Sequence, residues 1–194
     1  MNQERGTVVY ESHRARWLES IINENDWKLG VEIGVFKGPT FKHLVTSCPN
    51  LTLTGVDVFT PDWLWRARKI KTTEDLQKIK AVKWYKDLVK FTEEYPDRAI
   101  IWRDFSNKAH ARIEDETLDF VFIDASHDYD SVNEDIKMWK PKVKKGGGLT
   151  PDSRFETMTE EYWKEESYAP NKGHGENLPR LWTLRRKPQK SGTP

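Results

Sequence analysis

Cysteine is nearly absent: Cys48 is the one thiol in a chain of 194 residues. That excludes a disulfide framework and any zinc site built on paired thiolates. Long apolar runs are missing too, with none approaching the roughly 20 residues that span a bilayer as a helix. Residues 1–10 are polar rather than signal-like, so a soluble, cytoplasmic protein is expected. An excess of one charge is also lacking. Lys and Arg number 32 against 31 Asp and Glu, a formal net charge of +1, which removes the global electrostatic reason to expect nucleic acid as a partner. No internal repeat is visible.

What is present is a heavily charged surface, 32% of residues, with nine Trp, eight Phe and six Tyr to build a core. Aromatic side chains bury a large area each, and this length suits one domain. In Ser12–Asn25, Trp17, Leu18, Ile21 and Ile22 cluster at helical spacing. Leu29–Val35 is a short strand, Pro39–Thr46 a helix with Pro39 in its first turn, and Leu51–Val58 a second strand. Asp62–Lys71 crowds Trp63, Trp65, Arg66 and Arg68 into a loop or short helix, suited either to a pocket lid or to surface packing. Thr73–Tyr95 reads as one long helix, with Leu76, Ile79, Val82 and Val89 on one face. Ala99–Trp102 and Leu118–Ile123 are the third and fourth strands, the latter apolar enough to be covered on both faces. Ser131–Glu134 is a capping-box pattern opening a helix striped by Val132, Ile136, Trp139 and Val143, which Gly146–Gly148 then breaks. Leu149–Thr150 starts a fifth strand and Leu181–Arg186 is a last candidate. Alternating strands and helices predict an α/β fold: a single domain on a doubly wound, mainly parallel sheet.

In such sheets, ligands bind beyond the carboxyl ends of the strands. After the first strand comes Glu32-Ile33-Gly34-Val35-Phe36-Lys37-Gly38-Pro39-Thr40. Its two glycines let backbone approach a ligand, and the helix start offers N–H groups to an anion. Phe36 stands where the dinucleotide fingerprint needs glycine, which disfavours a nicotinamide-dependent oxidoreductase. Asp57 ends the second strand; its carboxylate can accept both hydroxyls of a ribose, or is simply a strand-end acid. Ser106 follows the third strand and is equally compatible with ordinary turn chemistry. Asp124 and His127 follow the fourth, His127 being either a base near neutral pH or a cap on the next turn.

The Glu-x-Gly-x-x-x-Gly arrangement resembles the first motif of class I S-adenosylmethionine-dependent methyltransferases. The run Phe122-Ile123-Asp124-Ala125-Ser126-His127-Asp128-Tyr129, with the helix, glycines and strand that follow, resembles the small-molecule O-methyltransferases of the sugar and catechol type. The likeness covers residues 30–153, and its order and spacing are more specific than any single piece. It implies a Rossmann-like methyltransferase fold, with a helical segment over residues 1–28, the methyltransferase domain over 29–186 and a flexible tail over 187–194. It also implies a cofactor site of Glu32, Gly34, Gly38, Thr40, Asp57, Val58, Phe105, Ser106 and Asp124. There the glycine loop wraps the methionyl part, Thr40 meets its carboxylate, and Phe105 and Ser106 flank the adenine.

In metal-dependent members the acid matching Asp124 and a pair after the fifth strand, here Asp152 and Ser153, hold a divalent cation such as Mg²⁺. The metal orients and acidifies a substrate hydroxyl while a base such as His127 takes its proton. Asp124 and His127 are thus the candidate catalytic residues. The chain departs from the pattern at Ser153, which replaces a second acidic or amide ligand, at Ala125 and Lys145, and at Pro151. The implied partner is a small-molecule acceptor, with a homo-oligomer left open. Two alternatives stand beside this: a noncatalytic cofactor-binding member of the fold, and a nucleic-acid methyltransferase, which lacks here its Asn/Asp-Pro-Pro-aromatic motif. Gly173-His174-Gly175 fits a mobile loop on the acceptor side.

Overall fold

Side chains leave the central strands on both faces of the sheet, and both faces are covered. On one, Leu53, Phe120 and Phe122 pack with Phe41, Leu44 and Leu88 and with Leu18 and Ile22 of the first helix. On the other, Val31, Ile33, Val56, Val121 and Ile123 pack with Val132, Ile136 and Trp139. This double burial accounts for the unbroken apolar run at 120–123.

The computed structural model describes residues 13–60, 71–72, 74–75, 82–125, 129–151, 169–170 and 182–183. Their elements, in order, are α1 (His13–Glu24), β1 (Leu29–Ile33), α2 (Pro39–Ser47), β2 (Thr52–Asp57), α3 (Lys83–Thr92), β3 (Ala99–Arg103), α4 (Ser106–Ala109), β4 (Leu118–Ile123), α5 (Tyr129–Trp139), β5 (Val143–Pro151), β6 (Ala169–Pro170) and β7 (Trp182–Thr183). The sheet order is β3-β2-β1-β4-β5-β7-β6. The first five are parallel, and β7 runs antiparallel to both β5 and β6. The order reverses between β1 and β4, so a ligand crevice belongs at their carboxyl ends. The doubly wound, mainly parallel α/β sheet is therefore as expected.

Three local expectations are corrected. The segment 73–95 is not one helix. Val82 is extended (φ −68°, ψ 155°) and α3 starts after it, a turn that lets Val82, Tyr85, Leu88 and Phe91 all reach the first core. The fifth helix begins at Tyr129, so Ser131 lies inside its first turn instead of capping it. That helix stops at Trp139, because Pro141 has no N–H to continue it; a short 3₁₀ turn over Lys140–Lys142 leads into β5 at Val143.

Gly146–Gly148 do not break a helix but lie within β5. The register moves from Leu118 opposite Val143 to Phe120 opposite Gly148, a bulge on β5. A Cβ on Gly147 would lie 2.5 Å from the Asp119 carbonyl oxygen, so only glycine passes there. Asp119 also secures the start of β1, its Oδ2 accepting from the N–H groups of Lys28 (2.8 Å) and Leu29 (2.9 Å).

Candidate functional site

The chain leaves β1 through three left-handed residues, Gly34 (φ 89°), Phe36 (φ 52°) and Gly38 (φ 78°). The N–H of Gly38 donates to the Val35 carbonyl at 2.8 Å, closing the turn that launches α2. A Cβ on Gly34 would sit 2.4 Å from the Asp124 carbonyl oxygen and 2.5 Å from Ala125 Cα. On Gly38 it would sit 2.4 Å from a Leu88 methyl carbon. The close approach that demands glycine at these positions is thus made by the protein's own chain. Gly34 exists because β4 exits directly against the loop, which brings Asp124 to it.

Asp57 holds the other side of that loop. Its Oδ2 accepts the N–H of Phe36 at 2.7 Å and its Oδ1 that of Phe59 at 2.6 Å. Phe59, like Phe36, is left-handed (φ 49°), so one carboxylate stabilises two unfavourable backbone conformations. Burial pushes the Asp57 carboxyl above its ordinary range, while the N–H groups of Phe36, Phe59 and Val35 pull the other way.

Glu32 is 2% exposed at the carboxyl half of β1, and its Oε2 has no hydrogen-bond partner. Burial first, then the nearby Asp124 carboxylate, push its carboxyl well above the usual range; Arg14 opposes them. A buried acceptor without a donor is costly, and this oxygen is left able to receive one.

Asp124 is met by a residue that the sequence reading did not single out. Arg14 Nη1, near the start of α1, lies 2.9 Å from Asp124 Oδ2. Its guanidinium carbon is 5.6 Å from the centroid of the Phe122 ring. The available signal was positional: α1 feeds β1, so its first turn must lie at the sheet's carboxyl edge, and a basic residue there faces strand-end acids.

The remaining expected positions divide. Thr40 is buried in the first turn of α2. Val58 lends its carbonyl to Arg103 Nε at 3.4 Å, and the N–H of Phe105 donates to Asp104 Oδ1 at 2.9 Å. Ser106 is joined to α5, donating to Asp135 and accepting from Trp139 Nε1 at 2.8 Å. The structure thus unites Glu32, the glycine loop, Asp57 and Asp124, and sets Ser106 in a separate network. His127, Asp152, Ser153, Trp63, Trp65, Arg66, Arg68, the Gly173-His174-Gly175 motif and residues 187–194 lie outside the described residues. Cys48 is buried, with its thiol raised to about 11 mainly by that burial, which makes it unreactive.

These residues fit S-adenosylmethionine. Glu32 supplies an unspent buried acceptor, and Asp57, with further lone pairs on each oxygen, can still receive hydroxyl donors. They do not fit Mg²⁺ equally well. The expected ligand Asp124 carries a guanidinium, and in the sequence Ser153 offers a hydroxyl in place of a charge.

A doubly wound sheet in this strand order, with a glycine turn after β1 clasped by the acid ending β2, defines the class I methyltransferase architecture. A family model described as a methyltransferase domain matches residues 31–153, and the chain belongs to that family. Use of S-adenosylmethionine follows from that membership. Solved structures with the same fold include a candidate caffeoyl-CoA O-methyltransferase from Staphylococcus aureus (14% identity, 87% of this chain and 81% of that one, TM-score 0.61). A candidate O-methyltransferase from Klebsiella pneumoniae is 11% identical over 94% of this chain and 84% of that one, with TM-score 0.58. A methyltransferase from Geobacter sulfurreducens is 12% identical over 89% and 78%, with TM-score 0.59. No curated protein matches the sequence. No helix among the described residues is long and apolar enough to cross a membrane.

Proposed function

We propose that this methyltransferase acts on a hydroxyl group of a small molecule. The observation that carries the reading is the placement of Asp124, a strand-end carboxylate against the Gly34 loop and paired with Arg14. That position in the chain is the one where the resemblance to sugar- and catechol-type O-methyltransferases is richest. The names borne by two of the structural neighbours point the same way.

S-adenosylmethionine supplies an electrophilic methyl group on a sulfonium centre. Glu32 would receive a donor from its methionyl end through the orphaned oxygen. Asp57 accepts the ribose hydroxyls while keeping the loop in its left-handed turn. Arg14 holds Asp124 in place, where the carboxylate orients the acceptor hydroxyl. His127 takes the hydroxyl proton as the oxygen attacks. The sulfonium methyl would be the group passed to that oxygen, the sulfur keeping the electron pair of the broken bond.

The test is incubation of the protein with methyl-labelled S-adenosylmethionine and a panel of catechols, sugars and amines, with mass spectrometry of the products. Label on an acceptor oxygen supports the reading. Transfer to nitrogen alone contradicts it.

A further inference from the structure

We infer that Arg14 takes the place of a divalent cation at Asp124, so that the site works with a resident guanidinium and no metal. The inference rests on the methyl-transfer reading of this edge of the sheet. The Nη1–Oδ2 distance of 2.9 Å is that of a charge-assisted hydrogen bond. The two side chains are 28% and 16% exposed, and the guanidinium is backed by the Phe122 ring, so the pair is partly buried and braced. A metal bound through the same carboxylate would have to sit beside a fixed positive charge.

Charge at this edge points the same way. The Asp124 and Asp57 carboxylates both raise the proton affinity of Glu32, and Arg14 is the charge that opposes them. Arginine suits the task because it stays protonated and cannot be exchanged with solvent as a metal can. In the sequence, a hydroxyl at Ser153 replaces a second acidic or amide ligand, so the weakened metal set and the arginine occur in one chain. Arg14 is therefore a positioning residue: it acts through Asp124, fixes α1 over the site and leaves deprotonation of the acceptor to a protein base.

The experiment uses the full chain and Mn²⁺ alone as probe, read by the electron paramagnetic resonance signal of the free ion, with and without S-adenosylhomocysteine. The wild type is expected to leave the signal unchanged at millimolar ion. Arg14→Gln, shown folded by circular dichroism, is expected to bind Mn²⁺ at least about tenfold more tightly. Arg14→Lys should return it toward the wild type. Stoichiometric Mn²⁺ binding by the wild type that Asp124→Asn abolishes would overturn the inference, as would a folded Arg14→Gln variant with no gain. Calorimetry with S-adenosylhomocysteine on the same sample separates the two levels: absence of binding contradicts the methyl-transfer reading itself.

Discussion

Arg14 and Asp124, far apart in the chain, meet at 2.9 Å across the carboxyl edge of the sheet. The contact ties the first helix to the end of β4, where Asp124 also donates its N–H to the Ile33 carbonyl at 2.7 Å. Removing the arginine takes a positive charge away from Asp124, which lies close enough to Glu32 to raise its carboxyl. Arg14→Ala should therefore cost about 1–3 kcal/mol of stability, and Asp124→Asn a similar amount. The double variant should lose less than the sum, as read from urea unfolding of all four proteins. Strict additivity would show that the pair is uncoupled.

Gly34 gives a sharper structural test. Alanine there must place its Cβ 2.4 Å from a backbone oxygen while holding φ near 89°. Gly146 has a similar φ of 90° but open space around it. Gly34→Ala should cost about 3 kcal/mol or more, and Gly146→Ala only about 1 kcal/mol, the strain of the left-handed backbone alone. Equal losses in denaturant titrations would refute the packing explanation.

Asp57 serves both the loop and the proposed ribose contact. Asp57→Ala should weaken S-adenosylhomocysteine binding by at least about tenfold, or 1.4 kcal/mol. Asp57→Asn should fall between, since the amide keeps one oxygen for an N–H but turns its nitrogen toward the other. Calorimetry giving unchanged affinity for the alanine variant would remove Asp57 from the site.

Glu32 predicts a pH dependence. Its carboxyl is raised in the folded protein, chiefly by burial and then by Asp124. The native state therefore holds the proton more tightly than the unfolded chain. The resulting stabilisation is full below the ordinary carboxylate range and is lost as pH rises through the raised value. Glu32→Gln removes this dependence. Relative to the wild type, the variant should thus gain stability as pH rises from the ordinary carboxylate range toward the raised value. A gap in urea midpoints that does not move with pH would contradict the shift.

Much of this was legible in the sequence because each chemical residue follows a strand whose apolar pattern is strong. The strands ending at Ile33, Asp57 and Ile123 are read from periodicity and burial, and the acids beside them follow. What could not be read depends on contacts between distant segments. Val82 breaks a regular helical stripe because the core, not the stripe, decides where the chain turns. Gly147 looks like a helix stop until Asp119 is seen against it. Gly34 suggests a ligand until the Asp124 backbone is found in that space. Ser106 looks available until Trp139 and Asp135 claim it. Arg14 is one of many basic residues on a surface-rich chain, and only the fold shows which acid it meets.

We propose that the loop from Glu32 to Thr40, together with Asp57, forms the site for S-adenosylmethionine. Isothermal titration of the full chain with S-adenosylmethionine, S-adenosylhomocysteine and NADH tests it most directly. Binding of the first two at one site per chain, with no heat from NADH, is the predicted result. No binding of either sulfur compound, or binding of NADH in their place, would contradict it.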